Sequence, residues 1–405
     1  MKTLLITMAM LLALQCLNVE ACTSIIITGK ATPDGRPVMW KNRDTDASQN
    51  AIMYFNDGKY SSIGLVDSDD KEGKAIWIGY NSAGFAIMNT VSYNLIMKDT
   101  IEVKDREGII MREALRECAS VSEFETFLKN YPKPMGAETN FGVIDALGGA
   151  AYFEVDNFSY KKLDVNDPGL APLGYIIHTN FSFTGDPDGG SGQIRYNTAE
   201  NLFYQAAQQN NLTVRFILQD VSRSLYHSLT KTDLKKSYSE NPSEQKFVNF
   251  TDFIPRYYSS SAVAIQGVRP GENVDYTTMW TVLGFPPASV VTPLWLCQGK
   301  NQPAIVMLNE SDVAPLCDKA VQLKHRIFPI KYGYGENYID VNALYNGAGT
   351  GIMQKLKGLD DLIFDDAGKK LDAWRKNKDW KKEIPDFYRM LDEQVPQMYM
   401  VLFGL

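Results

Sequence analysis

The sequence predicts an α/β protein built as two antiparallel sheets flanked by helices, and three observations carry that prediction. Apolar, β-branched runs come in pairs joined by glycine-bearing turns at 22–44, 76–90, 141–155 and 262–284, and consecutive hairpins build antiparallel sheets. Helical periodicity falls between those groups, at 106–131, 191–210 and 214–229; a doubly wound parallel sheet would instead alternate strand with helix. With 405 residues, 44% hydrophobic and 22% charged, the chain can fill a large core and is not disordered, collagenous or coiled-coil.

The first element is an address. Residues 1–21 carry one early lysine, an apolar run from Leu4 to Leu17, then Val19 and Ala21 at the positions a signal peptidase reads. The run is short for a membrane span, so export to the periplasm or the exterior is expected, with cleavage between Ala21 and Cys22. That cut makes Cys22 the first residue, a thiol carrying its own amine. An α-amino group titrates near ~7.7–8.0, so nucleophile and base arrive together. Three other readings compete. Lipidation would need a Leu-like residue and a small residue where Val19 and Glu20 stand. A disulfide is open to Cys22, Cys118, Cys297 and Cys317, with Cys297 and Cys317 able to pair alone. The third is a merely trimmed end.

Residues 22–29 form a strand buried on both sides, ATPDGRP a turn, and 38–44 (VMWKNRD) the return strand. A turn centred on or next to Asp34–Gly35 sets Cys22 opposite about 45–47, with Asp44 a near neighbour of the amine and Lys41 a positive charge favouring a thiolate. Cys118 ends the helical pattern of 106–131 and reads as core. The strand 173–183 ends at Asn180, and Arg195 opens the helix at 191–210, where it could hold an acidic group or make a surface ion pair. After about 330 the texture turns to charged residues interleaved with Leu, Ile, Trp and Met at helical spacing, so 22–330 reads as the main domain and 331–405 as a helical extension packed on it or on a partner subunit.

Several classes are excluded or set low. Lys plus Arg is 41 against 48 Asp plus Glu, a net charge of −7, which offers no nucleic-acid footprint. Three scattered histidines without HExxH or CxxC leave no metal site, and GAGTG at 347–351 lacks the context of a dinucleotide loop, so no cofactor is expected. DPDGGSG at 186–192 reads as a turn and DSDDKEG at 67–73 as a solvated loop. His178 would make a Cys–His dyad with no need of a free amine, and ranks below the amine as base.

Taken in order, CTS at the new start, NRD at 42–44, G-x-N-x-x-G-x-A-x-x-N from Gly79 to Asn89, G-x-x-D-A-x-G-x-x-x-x-x-E from Gly142 to Glu154 and H-T-N from His178 to Asn180 resemble the cysteine N-terminal-nucleophile hydrolases. Within them the chain is most similar to the linear-amide C–N hydrolases, the choloylglycine hydrolase and penicillin V acylase group and the acyl-CoA:6-aminopenicillanic acid acyltransferase-like branch. The resemblance implies an αββα sandwich in which Cys22 attacks an amide carbonyl and an acyl-enzyme follows. It implies that Asp44 contacts the amine, Lys41 replaces an arginine, Asn180 donates to the oxyanion, Asn89 is a second donor and Arg256 is the late arginine. The expected activity is an exported cysteine amidohydrolase on a small N-acyl amide, with acyl transfer as a side activity. The alternatives are an N-terminal-cysteine dipeptidase acting on a short peptide and a surface-anchored or binding protein without chemistry. No stable membrane span is expected, and homo-oligomerisation stays open.

Overall fold

The computed structural model describes residues 21–95, 101–239, 241–377 and 379–405; the expected signal segment, 1–21, lies outside them except for Ala21. In chain order the sandwich strands are β1 (Ala21–Ile27), β2 (Val38–Asp44), β3 (Asn50–Phe55), β4 (Ser62–Asp67), β5 (Ile78–Asn81), β6 (Ala86–Val91), β7 (Thr139–Ile144), β8 (Ala150–Val155), β9 (Tyr160–Asp164), β10 (Tyr175–His178), β11 (Ser259–Gln266), β12 (Thr278–Leu283) and β13 (Thr292–Leu294). They form a six-stranded sheet ordered β10-β1-β2-β11-β12-β13 and a seven-stranded sheet running β3 to β9 in sequence, antiparallel throughout. This is the two-sheet architecture expected of the hairpins.

β1 and β2 lie at the centre of the first sheet, and every residue of both is buried. Central strands covered on both faces need side chains that pack on either side, which the β-branched ACTSIII run supplies. The turn between them differs from the sequence expectation. Cys22 pairs with Arg43 and Ala21 with Asp44, so the hairpin is centred two residues or so earlier than Asp34–Gly35. The cause is local: Ala31 N donates to Thr28 O, Gly35 N to Thr32 O, and the Thr32 hydroxyl to Arg36 O at 2.8 Å. Two successive turns therefore replace one tight one, and Asp34 is taken up by Arg36 and Gln266.

Helices cover the outer faces. The 106–131 pattern is two helices, α1 (Glu107–Glu117) and α2 (Val121–Asn130), broken at Cys118, which is buried, unpaired and, through loss of solvent, pushed up to about 12. α1 lies close on the second sheet: a Cβ at Gly79 would meet Ile63 O at 2.5 Å and Leu115 at 3.2 Å, which is the steric reason for glycine there. α3 (Gln193–Gln208) covers the first sheet. The 214–229 stretch stays helical only to Val221, its end widened into a π-turn.

The C-terminal region adds α4 (Pro315–Ile327), α5 (Ile352–Trp374) and α6 (Ile384–Phe403). α5 buries Leu356, Leu359, Asp360, Ile363, Phe364, Ala367, Leu371 and Trp374 at helical spacing. Trp280 of β12 stacks on Phe364 at 5.2 Å, and Trp295 meets Trp374 edge-on at 5.1 Å. A buried ion pair pins the contact, Asp360 taking both Arg223 (2.9 and 3.1 Å) and Val291 N (2.8 Å). Cys297 and Cys317 are not joined; Cys317 sits on α4 against Asn50 N and Ser48 O. Among the described residues no helix is long and apolar enough to cross a membrane.

Candidate active site

Cys22 lies on β1, 5% exposed, where the strand's alternation sorts its neighbours into two faces. Cys22 and Ser24 point with their cross-strand partners Arg43 and Lys41 toward the second sheet, since the Ser24 hydroxyl reaches Tyr152 OH of β8 at 2.9 Å. Ala21 and Thr23 point with Asp44 and Asn42 toward α3, where the Thr23 hydroxyl meets Arg195 at 2.9 Å. The thiol side of the strand thus faces the second sheet, while Arg195 reaches the backbone of residue 22 from the α3 side.

Three chain segments converge on that backbone. Cys22 N donates to Asn180 Oδ1 at 2.8 Å. Arg195 donates to Cys22 O at 2.6 Å through Nη1 and to Asn180 Oδ1 at 2.9 Å through Nη2. One carbonyl oxygen therefore receives both the nitrogen of residue 22 and a guanidinium. Asn180 Nδ2 gives one hydrogen to Val91 O at 2.9 Å and, as an amide, carries a second. Arg195 is fully buried, not the surface ion pair that its exposed-looking helix start allowed. Burial and the like charge of Arg256 pull it down to about 10, with Asp44 acting the other way, so it stays a cation at neutral pH.

Asp44 stands opposite Ala21, beside the Ala21–Cys22 bond. Its carboxylate accepts from Ser259 Oγ at 2.6 Å, Arg256 Nε at 2.8 Å and Asn42 Nδ2 at 3.3 Å. The late arginine expected at Arg256 therefore binds Asp44, and Arg195 is the one on Cys22. Lys41 is buried and donates to Asn89 Oδ1 at 2.7 Å and Trp77 O at 3.2 Å. Asn89 spends its other end on the Thr139 hydroxyl at 3.4 Å, so Lys41 and Asn89 are brought to each other between the sheets. Arg43, the middle residue of NRD and given no role by the sequence reading, is directly opposite Cys22. It is gripped by both oxygens of Asp67, by Asn50 Oδ1 at 2.7 Å, and by the Trp77 ring at 4.4 Å from its centroid. Asp67 closes β4 as a half-buried anchor rather than opening a solvated loop.

His178 is no partner of Cys22. Its ring is fully buried between Tyr152 and Phe183, both at 4.5 Å, and donates from Nδ1 to Phe181 O at 3.2 Å. Burial pulls it down to about 4 against the pull of Glu154. A cavity of about 310 Å³ begins at Val91, the residue that Asn180 Nδ2 reaches, and is lined also by Tyr93, Val103, Glu107, Ala137 and Glu138. Among the described residues no group of three or more His, Cys, Asp and Glu could hold a metal ion.

The family model for acyl-coenzyme A:6-aminopenicillanic acid acyl-transferase matches residues 31–246, more than half of the 405 residues. The chain belongs to that family. Among solved structures, a variant of the conjugated bile acid hydrolase of Clostridium perfringens is 13% identical, covering 68% of this chain and 93% of its own, at a TM-score of 0.41. Penicillin V acylase from Agrobacterium tumefaciens is 13% identical over 68% and 87%, at 0.38. The Caenorhabditis elegans ortholog of N-acylethanolamine-hydrolyzing acid amidase is 16% identical over 48% and 86%, at 0.33. No curated protein matched the sequence.

Proposed function

We propose that this family member is an exported cysteine amidohydrolase that cleaves a linear N-acyl amide through an acyl-enzyme on Cys22. The observation that carries the reading is the convergence of Cys22 N and Arg195 on Asn180 Oδ1. As long as Ala21 precedes it, Cys22 N is a peptide nitrogen and cannot act as a base. Removal of the leader turns the same atom, in the same place, into an amine beside the sulfur, with Asp44 across the strand gap.

The steps follow from that placement. The amine takes the thiol proton as sulfur attacks the amide carbon, and returns it to the leaving nitrogen. Asn180 Nδ2, whose oxygen end is tied down by two donors, offers its second hydrogen to the oxyanion. Arg195 and Asp44 set the charge around the amine. Water, or an amine acceptor, then attacks the thioester to release the acyl group. The cavity at Val91 is at the small end of the usual ligand range of roughly 300–1,000 Å³.

A second reading, an N-terminal-cysteine dipeptidase, is favoured by the carboxylates of Asp105, Glu107 and Glu138 around that cavity, which would suit a substrate's free α-amine. Mature protein assayed on parallel panels of N-acyl amino acids and dipeptides decides between them. Cys22→Ser and Cys22→Ala should be inactive on either panel; activity persisting in Cys22→Ala, or a lipid-modified Cys22 by mass spectrometry, would remove both.

A further inference from the structure

Asn180 can act as a donor only if the segment that carries it is held still, and that segment, residues 179–184, projects from β10 without strand partners beyond one bridge to Ser191. Asn94 holds Ser182 N at 2.7 Å and Ser182 O at 3.0 Å, and further support comes from the other sheet. Asn140 of β7 and Glu154 of β8 are cross-strand neighbours and point the same way. Asn140 Nδ2 reaches Phe181 O at 3.2 Å. Glu154 takes Phe183 N at 2.6 Å, Thr184 N at 2.9 Å and the Thr184 hydroxyl. Glu154 is 2% exposed, and among the described residues no lysine or arginine is paired with it. His178 lies 3.6 Å away and fixes Phe181 O from the other side. A buried carboxylate is expensive to keep unless donors converge on it; here all the close donors belong to the two residues, Phe183 and Thr184, that close the Asn180 segment.

We infer that Glu154 is a positioning residue for the reaction, acting through the 181–184 segment to hold the Asn180 amide at the place where the oxyanion forms. The inference rests on the hydrolase reading above and adds a residue that touches neither Cys22 nor Asn180. A carboxylate presents only acceptors to this segment, whereas the amide of glutamine would turn an N–H toward one of the N–H donors. Charge and lone pairs, not size, are what the site requires. A displacement of about 1 Å at a donor can cost on the order of a hundredfold in rate, while sulfur reactivity toward a simple alkylating agent needs no oxyanion donor.

The test compares mature wild type with Glu154→Gln, Thr184→Val and Thr184→Ser, reading kcat and KM on an N-acyl amide and, separately, the rate of Cys22 alkylation by iodoacetamide. Glu154→Gln should lose at least about tenfold in kcat, Thr184→Val about threefold, and Thr184→Ser should stay near wild type, all with KM and the alkylation rate within about twofold. Unchanged kcat in Glu154→Gln and Thr184→Val overturns the inference. So does an alkylation rate that falls in step with kcat, because the defect then lies in the nucleophile or the fold. Should Glu154→Gln fail to fold, Thr184→Val and Thr184→Ser carry the same comparison. A Cys22→Ala protein that keeps activity would instead sink the hydrolase reading, leaving the two failures distinct.

Discussion

Arg195 offers the sharpest test of how the site works, because its charge and its hydrogen bonds can be separated. In Arg195→Met the guanidinium is replaced by an apolar chain, and the acceptors Cys22 O, Thr23 Oγ1 and Asn180 Oδ1 lose a partner each. The cation and the nitrogen of residue 22 both touch Asn180 Oδ1, at 2.9 and 2.8 Å, so they stand no more than about 5.7 Å apart. At that separation and an effective dielectric of about 20, the repulsion between guanidinium and ammonium is about 3 kcal/mol, equivalent to roughly two pH units. Asp44, across the strand from Ala21, opposes it. On the proposed mechanism Arg195 disfavours the ammonium form of the mature amine, so the unprotonated base persists to lower pH. Removing the cation raises the amine, and the acid limb of kcat/KM should move up by about one to two units, with Arg195→Lys moving it much less. The assay is a pH profile of mature protein on an N-acyl amide from pH 4.5 to 9. An Arg195→Met enzyme that remains active with its acid limb unmoved would refute the electrostatic argument.

Two further outcomes follow from buried charges away from the nucleophile. Asp360→Ala leaves Arg223 buried and unpaired, so denaturant unfolding should show a loss of about 3–5 kcal/mol, and Arg223→Met with Asp360→Leu should recover much of it; equal stability of single and double variants contradicts this. His178, held down to about 4 by burial, binds a proton more readily in the unfolded chain. Its contribution is therefore fully present above about pH 6.5 and is lost as pH falls toward 4. Stability measured across that window should drop with a slope near one proton, and the slope should flatten in His178→Gln.

Much of the architecture was legible because hairpin strands declare themselves locally. β1 with β2, β5 with β6, β7 with β8, and β11 with β12 are read from alternation and from turn residues only a few positions apart. The exact register was not, because it depended on how the Thr32 hydroxyl and the Ala31 and Gly35 amides close the loop, and a two-residue slip leaves the apolar faces unchanged. For the same reason Asp44 could be placed near residue 22 without its true partner, Ala21, being evident. β3, β4 and β9 were missed where charged and polar residues such as Asp67 and Lys162 belong to strands but resemble loop composition.

The site itself is built from pieces whose meaning lies in what they meet. Asn180 is 158 residues from Cys22 and Arg195 is 173, and no periodicity reports a contact over that distance. Arg195 had one visible signal, its position just after DPDGGSG at the start of a helix, but charge at a helix start is ordinarily solvated. What distinguishes it is that Gly192, with φ of +89°, turns the chain so that the first helical turn faces β1, and a Cβ there would lie 2.4 Å from the guanidinium. That glycine is the residue by which a local turn preference becomes a buried charge at the nucleophile. Glu154 shows the same conversion from the other sheet: the motif ending at that residue is unremarkable as a strand, and acquires a function only because β8 ends beside the segment that carries Asn180. The first sheet thus carries both Cys22 and Asn180, and the second sheet holds the segment of the latter. On the proposed mechanism the nucleophile on β1 depends on a donor held by β7 and β8 together with Asn94, so a change in sheet packing should reach the chemistry before it reaches the fold.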